Sequence, residues 1–188
     1  MNLAHRWLCN SSAWRTIVEK RLIPWTLDGL DLGTDVLEIG PGPGITTARL
    51  RTLVPHLTCL EIDKTYATAL SLRFVGDGVR IVCGNGAAMP LSDASFDAVV
   101  CFTMLHHVTS TALQDRLLAE AARVLRPGGI FAGVDSTSSR LFRLLHLFDT
   151  MVVIDPCTFP ARLKAAGFEN VEVGLTSHSF RFRAQKPV

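Results

Sequence analysis

The chain has 188 residues, a formal net charge of +2 and a hydrophobic share of 48%. That length suits one domain with a sizeable core, and the near-neutral charge argues against nucleic acid as a partner. No stretch approaches the roughly 18 uninterrupted apolar residues of a membrane span. The start, Met1-Asn2-Leu3-Ala4-His5-Arg6, lacks a signal peptide's apolar core, so a cytoplasmic location is expected. The five cysteines are scattered, with no C-x-x-C or Cys/His cluster, so neither a disulfide framework nor a metal site is expected.

In chain order, a helix is predicted over 11–22, carrying Trp14, Ile17 and Val18. Strands over 35–39, 57–62, 79–83, 96–102 and 129–135 then alternate with helices over 46–53, 64–74 and 111–125. This alternation is the pattern of a mostly parallel sheet with helices on both faces. The helix 111–125 stops at Arg126-Pro127-Gly128-Gly129, because proline cannot continue it and glycine ends it cheaply. A last helix, 159–166, ends at Gly167, and strands 171–174 and 180–184 close the chain as an antiparallel hairpin. Arg181, Arg183 and Lys186 interleave with Phe180, Phe182 and Ala184, which reads as the polar face of a strand rather than an RNA patch.

The most informative segment is Val36-Leu37-Glu38-Ile39-Gly40-Pro41-Gly42-Pro43-Gly44-Ile45-Thr46-Thr47. An apolar strand runs into three glycines at alternate positions and then into a helix. Glycine leaves the backbone open to a ligand and permits tight turns. Dinucleotide sites use G-x-G-x-x-G beneath a pyrophosphate. Here the spacing is G-x-G-x-G behind Glu38, a carboxylate expected in the mouth of the site, where it would repel phosphate and suit an ammonium. S-adenosylmethionine carries an ammonium and no phosphate. The next strand ends in Glu61-Ile62-Asp63, placing Glu61 where a ribose-binding acid is expected and Ile62 against adenine. The bland alternative is that Glu61 and Asp63 cap the following helix, which suits Asp63 better. After the third strand, Asn85-Gly86-Ala87 offers an amide and backbone N–H groups for the adenine edge, although Asn-Gly alone is a turn signal.

These residues resemble the class I methyltransferases, in the ubiquinone/menaquinone-biosynthesis-like branch. The match runs from about Thr34 to the C-terminus. Beyond the glycine loop it includes Gly84 to Pro90, Ser95-Phe96-Asp97-Ala98-Val99, Leu105-His106-His107-Val108, Val124-Leu125-Arg126-Pro127-Gly128-Gly129 and Ala165-Ala166-Gly167-Phe168. The resemblance implies a Rossmann-like, doubly wound α/β sheet of seven strands, the last inserted antiparallel. It implies S-adenosylmethionine as cofactor, held by Glu38, Gly40, Pro41, Gly42, Gly44, Glu61, Ile62, Asn85, Gly86 and Ala87. After the fourth strand it adds Phe102, Thr103 and His107. Asn85 departs from the family's usual Asp; it can accept from the adenine amino group but carries no charge, so somewhat weaker binding is expected.

Methyl transfer from a sulfonium needs alignment and exclusion of water, and a base only for a protonated acceptor. An acceptor belongs outside the end of the fourth strand, at Cys101-Phe102-Thr103-Met104-Leu105-His106-His107. There is no Asn/Asp-Pro-Pro-Tyr/Phe of the amino-methylating enzymes, and Val100 rather than Pro precedes Cys101, which reads as a buried strand thiol. His106 is a candidate base, its ordinary pKa suiting proton removal near neutrality; Asp135 is a second. The apolar run 141–154, with Arg140, Arg143, His146 and Thr150 on one stripe, is either a core helix or a lid over an apolar acceptor, with Trp7, Trp14 and Trp25 closing the other side.

The expected organisation is one domain: a helical cap over 1–33, a cofactor-binding core over 34–135, a lid and last helix over 136–168 and a terminal hairpin over 169–188. The expected acceptor is a small hydrophobic or aromatic molecule methylated on oxygen or carbon. The alternatives are a protein or rRNA acceptor, or a binding module without catalysis.

Overall fold

The computed structural model describes residues 11–138 and 151–188. Trp7 and the stripe Arg140, Arg143, His146 and Thr150 lie outside the described residues. Seven strands, β1 (Asp35–Ile39), β2 (His56–Glu61), β3 (Val79–Cys83), β4 (Phe96–Phe102), β5 (Leu125–Ser136), β6 (Glu169–Leu175) and β7 (Ser179–Gln185), form one sheet. Their order is β3-β2-β1-β4-β5-β7-β6. The first five run parallel, and β7 is inserted antiparallel between β5 and β6. The expected α/β sheet with an antiparallel last strand is therefore present.

Burial explains that order. β1 and β4 are buried along nearly their whole lengths, as continuous apolar strands covered on both faces must be. No residue of the edge strands β3 and β6 is fully buried. On β7, Phe180, Phe182 and Ala184 are buried while the residues between them are only half-buried. Around the sheet pack α1 (Ser12–Ile17), α2 (Ile23–Leu27), α3 (Ile45–Leu50), α4 (Lys64–Arg73), α5 (Thr111–Val124) and α6 (Phe159–Ala165). One apolar cluster joins Leu117, Leu118 and Leu163 to Phe131, Phe159, Phe180 and Phe182. Phe159 and Phe131 meet Phe182 edge-on, at centroid separations of 5.0 and 4.9 Å, a favoured aromatic geometry. A second cluster joins Val18, Ile23, Ile45 and Leu50 to Val36, Cys59, Val100 and Val134.

Two boundaries differ from expectation by four residues or more. The N-terminal helix continues past residue 22, because α1 and α2 are joined by a π-helical turn, Val18–Leu22. Pro24 lacks a donor and its ring crowds the carbonyl four residues back; a widened turn just before it accommodates both. Strand β5 begins at Leu125 rather than residue 129, pairing Leu125 with Phe96 before a register shift. Pro127 falls inside that irregularity, where proline costs the ladder no hydrogen bond.

At the N-terminal end of the sheet, two of the resembled blocks meet. Asp97 accepts from the Thr34 and Asp35 N–H groups at 2.9 Å, and Arg126 bridges Asp97 and Asp35. Burial opposes ionisation of Asp97, but these hydrogen bonds outweigh it and hold the carboxyl below its usual range.

Candidate functional site

The remaining sequence signals gather at the opposite, C-terminal end of the sheet. The loop after β1 has Gly40, Gly42 and Gly44 at φ +67°, +53° and +77°. Two of them do different work. A Cβ on Gly44 would lie 2.5 Å from Leu70 Cδ2 on α4, so this glycine lets the helix pack. A Cβ on Gly42 would meet nothing within 4 Å. Gly42 therefore presents bare backbone to open space, the property a ligand-bearing loop requires. The buried Pro41 accepts from the Gly44 N–H at 2.9 Å, and Gly40 donates to the Leu60 carbonyl at 2.9 Å, which ties the loop to β2.

Glu61, at the end of β2, is 5% exposed. Its Oε2 accepts from the Gly42 N–H at 3.0 Å and its Oε1 from the Asp63 N–H at 2.9 Å. One bond per oxygen leaves each with a further lone-pair direction. Asp63 caps α4, accepting from Thr65 and Tyr66 N–H groups. Ile62 is 68% exposed, an apolar surface beside the loop. Past β3, Asn85 Oδ1 accepts from the Ala87 N–H at 2.9 Å, and the Asn85 side chain is exposed beside the half-buried Gly86 and Ala87.

Glu38 is placed otherwise than expected. It does not stand in a mouth: it is 1% exposed and accepts from the hydroxyls of Thr46 and Thr47 and from the Cys59 thiol. Burial pushes its pKa up, against the lowering effect of those bonds. Its carboxyl fastens β1 to α3 from behind the loop.

Beyond β4, Phe102 is buried in the second apolar cluster and His107 is half-buried with its ring 4.1 Å from that of His106. Thr103 has φ +49°, a strained conformation for a β-branched residue, costing about 1–3 kcal/mol. Its N–H donates to the Val134 carbonyl at 2.7 Å. The two candidate bases form a single pair: His106 Nδ1 lies 2.5 Å from Asp135 Oδ1, with the residues 2% and 0% exposed. Asp135 also accepts from the Ser136 N–H at 2.6 Å and the His106 N–H at 3.3 Å.

Next to this pair opens a cleft of about 490 Å³. Trp14, Ile17, Arg21, Leu22 and Trp25 form the helical wall, Thr103 and Ser136 come from the ends of β4 and β5, and the β6–β7 turn, 176–179, supplies the rest. Neither His106 nor Asp135 lines it. The sequence reading placed Trp14 and Trp25 here but missed Arg21, Ser136 and the turn. Antiparallel insertion of β7 was the available signal, since it carries the hairpin turn to this end of the sheet. Trp25 is held by Arg181, which donates to its carbonyl and lies 5.3 Å from its ring centroid. Arg183 donates to the Thr26 and Asp28 carbonyls. The basic residues of β7 thus cap the carbonyl end of α2, where cations are favourable.

Comparison with known proteins decides the family. The model of the methyltransferase domain family matches residues 37–133. The chain belongs to that family. This methyltransferase domain is thus of the class I, S-adenosylmethionine-dependent type, and the match covers the glycine loop, Glu61, Asn85 and the end of β4. It is 38% identical over 109 residues to a "probable S-adenosylmethionine-dependent methyltransferase" of Mycolicibacterium smegmatis, covering 58% of this chain and 40% of that one. It is 29% identical over 135 residues to a ubiquinone biosynthesis O-methyltransferase of Aromatoleum aromaticum, covering 68% and 56%. The chain therefore spans about half the length of these relatives. Among solved structures, a phosphoethanolamine N-methyltransferase of Haemonchus contortus, in complex with S-adenosylhomocysteine, superimposes with a TM-score of 0.73 at 16% identity, covering 98% and 56%. Among the described residues, no helix is long and apolar enough to cross a membrane and no side-chain group could hold a metal.

Proposed function

We propose that this methyltransferase domain transfers the methyl group of S-adenosylmethionine to a small apolar or aromatic molecule, on oxygen or carbon, held in the cleft beneath Trp14 and Trp25. The observation that carries this reading is the cleft itself. It is walled by two indoles and two aliphatic side chains, and it reaches the ends of β4 and β5 on the same sheet edge as the glycine loop. An oxygen acceptor is supported by the name of the ubiquinone-biosynthesis relative.

The sulfonium supplies an activated methyl group and a neutral leaving group. The chain supplies the rest. In the loop 40–44, Gly42 offers unobstructed backbone that suits the amino-acid tail. Glu61, with lone pairs in reserve, suits the ribose hydroxyls. Ile62 and the segment Asn85, Gly86 and Ala87 suit the adenine. Phe102, Thr103 and His107 would add contacts from beyond β4, and of these Thr103 also lines the cleft. Glu38 in this reading acts through Thr46 and Thr47 as a strut, not as the ammonium's partner. The His106–Asp135 pair is a positioning device, since Asp135 holds the backbone of both Ser136 and His106. Trp14 and Trp25 exclude water from the cleft.

Incubation with methyl-labelled S-adenosylmethionine and separate pools of phenols, catechols, polar amines, protein and RNA tests the reading. Label is expected in the phenol or catechol pool, with S-adenosylhomocysteine released in equal amount. Label confined to amines, protein or RNA overturns the acceptor class. Calorimetric binding of S-adenosylmethionine without product in any pool points instead to a binding module.

A further inference from the structure

We infer that the acceptor is an amphipathic anion, an apolar body bearing one acidic group, and that Arg21 is the residue that selects for that group. This rests on the proposal that the cleft holds the acceptor. Arg21 lies seven residues after Trp14 on the helical wall, in the π-helical turn, exposed and lining the same cleft. Arg181, which does not line the cleft, is committed to the Trp25 carbonyl behind its wall. Elsewhere Arg123 is paired with Glu120 and Asp93, Arg126 with Asp35 and Asp97, and Arg162 with Asp115. Among the described residues Arg21 has no such partner, and no carboxylate lines the cleft. The remaining lining groups near the β6–β7 turn are hydroxyls and His178, which add no negative charge.

A cation on the wall of an indole-lined cleft has a chemical consequence. A guanidinium donates two parallel hydrogen bonds to a carboxylate or sulfonate, and such a charge-assisted pair is stronger than a neutral one. A neutral ligand of the same shape gains the apolar contacts only. Selection should therefore appear as a ratio of affinities rather than as affinity itself.

The probes are 1-anilinonaphthalene-8-sulfonate and N-phenyl-1-naphthylamine, which share one skeleton and differ in the sulfonate. Each is titrated by fluorescence into the intact chain. The sulfonate is expected to bind about tenfold more tightly than the neutral amine, as one charge-assisted hydrogen-bonded pair allows. Arg21→Met should bring the ratio close to one while leaving the neutral amine's affinity unchanged. Arg21→Glu should invert the preference. Affinity for S-adenosylmethionine, unchanged in both variants, shows that the fold is intact. A ratio that neither variant alters overturns the inference. Trp14→Ala separates this from failure of the cleft proposal: it should weaken both dyes together. If it weakens both while the Arg21 variants leave the ratio alone, only the anion selection falls. If it weakens neither, the cleft is not the apolar site and both proposals fall.

Discussion

Glu38 shows how one side chain can be recognised from sequence and still be misplaced. Its position before the glycines marks the loop, but only the fold reveals that Thr46 and Thr47, eight and nine residues later, turn their hydroxyls back onto its carboxyl. Because burial raises its pKa above the ordinary 4.5, the folded state holds its proton more tightly than the unfolded chain. Its contribution to stability is full below the ordinary value and is lost as pH rises through the folded-state value. The stability difference between wild type and Glu38→Gln, from urea unfolding, is therefore expected to be more favourable to wild type at about pH 5 than at about pH 8. A flat difference would mean that Glu38 titrates normally. The glycines separate just as sharply. Gly44→Ala should cost stability through both its positive φ and its clash with Leu70, lowering the thermal midpoint by several degrees, at about 1–3 kcal/mol. Gly42→Ala should cost only the conformational part, roughly 1 kcal/mol, but weaken S-adenosylmethionine at least about tenfold by filling the open space above the loop. Calorimetric titration beside thermal unfolding distinguishes the two.

At the level of elements, the alternation of apolar runs and helices was sufficient to place every strand, because burial on two faces leaves a continuous apolar signature in β1 and β4. It was insufficient where a local rule was overridden. Pro24 did not end the helix, since a π-helical turn absorbed it, and the Arg126-Pro127-Gly128-Gly129 segment joined the sheet through a register shift. The cysteines follow the element they sit on. Cys59 and Cys101 are buried in β2 and β4, and burial drives both thiols up, whereas Cys83 and Cys157 are exposed. Brief alkylation of the native chain, mapped by mass spectrometry, should label Cys83 and Cys157 and spare Cys59 and Cys101, because the thiolate is the reactive form and access is required. Equal labelling of all four would contradict the buried placement. The β7 arginines carry a further expectation. Arg183→Ala removes charged donors from the last carbonyls of α2 and should lower the unfolding free energy by about 1.5–3 kcal/mol in a denaturant titration.

Across the molecule, the sheet order puts two sites side by side on one edge. The proposed cofactor cradle belongs to the ends of β1, β2 and β3; the cleft belongs to β4, β5 and the β6–β7 turn, roofed by the N-terminal helical segment. The strand order reverses between β1 and β4, the place where open α/β sheets bind ligands, and Thr103, just beyond β4, lines the cleft there. The candidate cradle was readable from the sequence as a proposal, because backbone exposure demands glycine and an acid at fixed spacing. The cleft was only partly so: its walls come from residues 14–25 and 176–179, which nothing local connects. Such a division predicts independence. Trp14→Ala should raise the KM for an accepted phenol several-fold with S-adenosylmethionine affinity unchanged, and Gly42→Ala should do the reverse. Combining them should multiply the losses in kcat/KM to within about twofold, the behaviour of sites that share no contacts. A combined loss much smaller than that product would show the cradle and the cleft to be coupled.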